Sequence, residues 1–169
     1  MTPGETAMTA SDADPTAVLS VRVSRFVRAP RERVFEAWIR PELRRKWWGT
    51  GRPEGLSVCE IDARVGGRYC MKQTGSCDES PDVGSDYEWI MQGEFLEVDA
   101  PRRLVFTWEV NHPNEPKSDE RVTVEFREAE GGTDVTITHE GILSGRLRDG
   151  TERGWTKLLE TLGAVVERE

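Results

Sequence analysis

The chain has 169 residues, 36% of them hydrophobic, with 31 acidic against 23 basic side chains and a net charge of −8. That length supports one core burying roughly two-thirds of the unfolded surface and leaves too little apolar material for a second. The acidic balance disfavours a phosphate-binding surface and so excludes nucleic acid as a partner, while apolar runs of a few residues fall far short of the ~20 needed to span a bilayer.

Residues 1–16 mix Thr, Ala, Ser, Pro and acids without the basic start and apolar block of a secretory signal, and read as a mobile tail ahead of a single domain over 17–169. Cys59, Cys70 and Cys77 are an odd number of thiols in a chain without an export signal. This fits three free cysteines in a reducing cytoplasm. A zinc site needs ligands at shorter spacings than these, with a histidine near them, so no metal is expected.

Leu19, Val21, Val23 and Val27 share one face of a first half-buried strand. Pro30 then opens a helix whose apolar face is Val34, Phe35, Trp38 and Ile39. Pro41 interrupts it, and a second short helix runs to Trp47 with Arg44, Arg45 and Lys46 on it. Those bases, with Arg40, read as the wet face of that helix. From Leu56 the pattern is β throughout: Cys59, Ile61 and Ala63 on one face before the Gly66-Gly67 turn, Tyr69 and Met71 after it. Gly75 to Asp86 is a long polar loop. Trp89, Met91 and Phe95 share a face, but Leu96 and Val98 bring in the other parity, which predicts a β-bulge near Gly93 to Leu96. Leu104, Phe106 and Trp108 alternate, as do Val122, Val124 and Phe126. Gly131-Gly132 turns the chain into Val135, Ile137 and His139, where the last strand is expected to end. Trp155, Leu158, Leu159, Leu162 and Val166 follow helical spacing on one stripe. Gly154 and Gly163 interrupt that helix at a cost of ~1 kcal/mol each relative to alanine, which calls for close approach of the backbone or room for a ligand.

Strands joined by short turns pair antiparallel, and sheet twist curls them around the terminal helix. The fold class is therefore α+β, a helix-grip arrangement of about six to seven strands around a long C-terminal helix, with two short helices after the first strand.

Several stretches in this order resemble the SRPBCC (START-like) superfamily, in the branch related to the heat-shock ATPase activator. They are Ala29-Pro30 with Val34-Phe35-Ala37-Trp38, Trp47-Trp48, Gly66-Gly67-Arg68-Tyr69, Gly93-Glu94-Phe95-Leu96-Glu97-Val98, Pro101 to Trp108, Thr138-His139-Glu140-Gly141 and Gly154-Trp155. The resemblance covers about Val18 to Val166 and implies the fold. It transfers no catalytic set, because that superfamily hosts carriers, cyclases, toxin-sequestering proteins and chaperone regulators alike.

Six tryptophans against five Phe and two Tyr are the compositional oddity. The inward aromatic and sulfur-bearing set makes Trp47, Tyr69, Met71, Trp89, Met91, Phe106, Trp108, Phe126, His139, Trp155 and Leu159 the candidate lining of a cavity between sheet and terminal helix. His139 is read first as structural, bonded to backbone or a nearby acid, since no nucleophile accompanies it. His112 lies in a loop and is expected to be exposed. No phosphate loop, dinucleotide fingerprint or nucleophile elbow is present, so no cofactor is expected.

These features predict a protein that binds a hydrophobic or aromatic small molecule. A chaperone ATPase regulator acting through its surface is the first alternative, and a cyclase- or hydrolase-type enzyme using His139 the second. Exposed sheet edges need covering, and a homodimer is one way to cover them.

Overall fold

Alternation sets the first strand, β1 (Leu19–Val27), and two prolines divide the next segment into α1 (Arg31–Ile39) and α2 (Pro41–Trp47). Six strands follow: β2 (Leu56–Ile61), β3 (Arg68–Thr74), β4 (Glu88–Asp99), β5 (Arg103–Val110), β6 (Glu120–Ala129) and β7 (Gly132–Ile142). The long helix α3 (Gly145–Val166) closes the domain. This computed structural model describes residues 18–49, 55–75, 84, 86–113, 115 and 117–168. The N-terminal tail, Cys77 and most of the loop predicted over Gly75 to Asp86 lie outside the described residues.

All strand pairs are antiparallel, in the order β1-β7-β6-β5-β4-β3-β2, which is the predicted helix-grip arrangement. Register follows the hydrophobic alternation, because a one-residue slip would turn every core side chain to solvent. Phe95 pairs with Phe106, Phe106 with Val122, Val122 with His139 and His139 with Val21, so one inward row crosses five strands.

Among the described residues the register shifts at three places, one of them between Leu56 and Val58. The predicted bulge falls between Phe95 and Glu97. It leaves Leu96 exposed, so only Val98 of the two even-numbered residues packs against the core. Just before it, a Cβ on Gly93 would lie 2.0 Å from the Thr107 carbonyl oxygen, so a side chain there has no space. The third shift is at Gly141, whose φ of 92° suits glycine and which is skipped where Leu19 pairs with Ile142 and Ser20 with Glu140. The last strand therefore does not stop at His139 but continues through a bulge to Ile142.

The helix α3 starts at Ser144, whose hydroxyl accepts the Leu147 N–H at 3.1 Å. Its stripe of Trp155, Leu159, Leu162 and Val166 is buried, with Leu158 half-buried beside it. Each such side chain contributes about 1.5–3 kcal/mol by leaving water. A Cβ on Gly163 would meet the Arg25 side chain at 3.2 Å, a contact that this exposed side chain relieves by a small shift. The helix rests chiefly on β1 and also touches β7, α1 and α2. It thus covers one side of the concave face, and α2, packed on β2, reaches towards the other. Among the described residues no helix is long and apolar enough to cross a membrane.

Gly93→Ala should lower stability by roughly 2 kcal/mol or more through overpacking against β5. Urea denaturation checks this, and an unchanged midpoint would contradict the close approach.

Candidate functional site

Five of the six tryptophans meet in one cluster. Trp38 from α1 lies 4.9 Å from Trp47 and stacks on Trp155 of α3 at 6.0 Å, ring centre to ring centre. Trp48 contacts Trp47, Trp108 and Trp155 at 5.5, 6.1 and 5.6 Å, and Trp108 contacts Trp155 at 5.4 Å. Indoles from three helix-bearing segments and one strand therefore fill the space where α1, α2 and α3 converge on β5. Phe126 extends the group towards α1, edge-on to Phe35 and Trp38.

Arg44 sits inside this aromatic mass rather than on the wet face predicted for it, with 5% of its surface exposed. Its guanidinium carbon stands 4.8, 5.0 and 4.4 Å from the ring centres of Trp38, Trp47 and Trp48. Nη1 donates to the Trp38 carbonyl at 2.8 Å, while the Nε–H is buried without an acceptor. Among the described residues no carboxylate pairs with it, whereas its neighbours are satisfied outside: Arg40 pairs with Glu36 and Glu42, and Arg45 donates to the Leu56 carbonyl. Desolvation of a lone ion costs several kcal/mol. Three indole faces at about 1–2 kcal/mol each and one charged hydrogen bond of about 2 kcal/mol offset most of that. Burial pulls the guanidinium down to about 10, so it stays a cation at neutral pH.

Beside Arg44 is a small, half-open cavity walled by Arg44, Ile61, Tyr69, Met71, Phe95 and Phe106. Its volume is about 10 Å³, room for a single water. It lies under α2 and β2–β5 rather than against α3, where a cavity was expected. Of the predicted lining, Tyr69, Met71 and Phe106 border it and Trp47 backs the guanidinium. Met91, Phe126 and Leu159 are plain core, and Trp108 is half-buried within the tryptophan cluster. Trp89 lies elsewhere, donating its N–H to the Gly75 carbonyl at 2.8 Å and packing on Tyr87 and His112. His112 is consequently half-buried, not exposed as its loop suggested. Arg44, Ile61 and Phe95 were missed as wall residues. Helical phase could have found Arg44, since residues 44, 47 and 48 share a face.

His139 is 1% exposed and engaged at both nitrogens. Trp155 donates its N–H to Nδ1 at 3.0 Å, so the ring proton sits on Nε2, which meets Glu120 Oε1 at 2.9 Å. The bridge ties α3 to β7 and β6. No lone pair remains to accept a substrate proton.

The sequence profile described as activator of Hsp90 ATPase homolog 1-like protein matches residues 28–167. The chain belongs to this family. A crystal structure from Chromobacterium violaceum is 31% identical, with 88% of this chain and 96% of that one covered at a TM-score of 0.71. An uncharacterised Rhizobium leguminosarum protein is 22% identical over 90% and 97%, with a TM-score of 0.76. An AHSA1-like protein from Aeromonas hydrophila is 21% identical over 89% and 93%, at 0.68. No match was found among functionally curated proteins.

In this AHSA1-like chain the site's two ionisable neighbours are held protonated. Burial raises the Cys59 thiol, against the opposing pull of Arg44 and Arg45. Burial also raises the Tyr69 phenol, which donates to the Thr107 carbonyl at 2.6 Å.

The folded state holds the Tyr69 proton more tightly than the unfolded chain, whose phenol titrates near ~10. That stabilisation is complete below this range and is lost as pH rises above it. Tyr69→Phe should therefore flatten the alkaline fall in stability, measured by urea midpoints across that range. His139→Phe strands a buried indole N–H and a carboxylate, and should cost about 2–4 kcal/mol. A nitrogen-15 spectrum of the imidazole should show the Nε2–H tautomer; an Nδ1–H signal would contradict the bridge.

Proposed function

We propose that this AHSA1-like protein binds a small apolar or aromatic compound at the cavity walled by Arg44, Ile61, Tyr69, Met71, Phe95 and Phe106. One observation carries the reading: five of these six walls are apolar or aromatic and the sixth is a buried polar group without a full set of partners. Ligand sites have this composition, a mostly apolar lining with a few placed polar groups. The space has room for one water in this conformation, so a larger guest enters by side-chain repacking. Met71 suits that role, because its unbranched thioether changes shape at little cost. The bulge at Phe95 and Glu97 places a sheet irregularity directly beside the same wall.

The surface-acting alternative rests on the family's description alone. The enzymatic alternative through His139 meets a ring whose two nitrogens are already engaged.

Toluene titrated into nitrogen-15-labelled protein tests the proposal. Saturable shifts at the amides of Tyr69, Met71, Phe95 and Phe106 are expected, and Ile61→Trp, which fills the space, should abolish them. Shifts that do not saturate, or that survive Ile61→Trp, would contradict it.

A further inference from the structure

Deepening the binding role proposed above, and resting on it, we infer that the ligand carries a carboxylate and that Arg44 is the residue that takes it. Among the described residues, the guanidinium held among three indoles has no counter-charge. It has one hydrogen bond in the direction of the protein, from Nη1 to the Trp38 carbonyl, and its Nε–H is buried without an acceptor. The Trp38 indole N–H, whose ring lies 4.8 Å from the same guanidinium, is also buried without an acceptor. Of these two orphaned donors the one on Arg44 stands on the cavity wall, where it calls for an acceptor, and its charge calls for an anion.

The wall chemistry narrows the anion. Apart from Arg44, the polar group in the cavity wall is the Tyr69 hydroxyl, which already donates to Thr107. A tetrahedral dianion such as a phosphate monoester would bring twice the charge to a site with one fork of donors. A planar monoanion matches the Nε edge of that fork, since guanidinium and carboxylate pair through parallel N–H···O bonds. The remaining walls, Ile61, Met71, Phe95 and Phe106, then receive an apolar or aromatic body. Because the guanidinium is only 5% exposed and lies among three indoles, the pairing would be strong and would discriminate sharply against an uncharged isostere.

The test compares phenylacetate with phenylacetamide, and both with toluene, by tryptophan fluorescence, because Trp38, Trp47 and Trp48 flank the guanidinium. Wild type should bind phenylacetate roughly tenfold or more tightly than phenylacetamide. Arg44→Gln should erase that preference, Arg44→Lys should keep part of it by keeping the charge without the fork, and the exposed Arg64→Gln should leave it intact. Near-ultraviolet circular dichroism confirms that each variant is folded; if Arg44→Gln is not, the wild-type ratio and Arg44→Lys decide. Equal affinity for acid and amide in wild type, with toluene still bound, overturns the carboxylate assignment and leaves the binding proposal standing. A preference that survives Arg44→Gln also overturns it. Failure of all three compounds to bind overturns both.

Discussion

A cation enclosed by indoles organises the part of this domain that carries the two short helices. The guanidinium of Arg44 touches Trp38, Trp47 and Trp48 and donates to the carbonyl of Trp38, so one side chain connects α1, α2 and the segment that leaves α2. From there the aromatic contacts run without a break through Trp48 and Trp155 to Trp108 and His139. Remove the charge and the two short helices lose the group that orients them on the concave face. Retain it, and the fold carries a desolvated ion whose hydrogen-bonding capacity is incompletely used.

The curved sheet makes that arrangement necessary. A seven-stranded antiparallel wall exposes more concave area than one helix covers, and α3 lies chiefly on β1. Tryptophans fill much of the difference, because a few large rings cover area that would otherwise need another element. Beneath α2 lies a small space bordered by aromatic and sulfur-bearing side chains and by Arg44. Arg44 gives this space a polar end.

Much of the architecture was legible in the residues. Period-two alternation in the strands, prolines at the helix starts and the spacing of Trp155, Leu159, Leu162 and Val166 each report a local rule that tertiary packing left unchallenged. Polar exceptions were harder to read. Arg44 sits in a basic run, where a solvated face is the usual outcome, yet its helical phase places it with two indoles. The Glu120 partner of His139 depended on pairing across β6 and β7, which becomes countable only once the Gly131 turn fixes Ala129 opposite Gly132. Leu96 shows the limit of parity: a bulge can be foreseen from a phase change, but which residue it ejects depends on the neighbouring strand. For His139 and Leu96 the missing information was a long-range contact, whereas for Arg44 it was helical phase set against a basic run.

The side-chain nitrogen resonance of Arg44 reports whether the buried guanidinium has a free donor. In free protein its Nε–H should be protected from solvent exchange, as a buried donor, yet resonate without the downfield shift of a hydrogen bond. On saturation with phenylacetate the account predicts that this signal moves downfield while the guanidinium remains protonated. A signal that is already downfield in the free protein, or that stays fixed while other pocket resonances move, would contradict it.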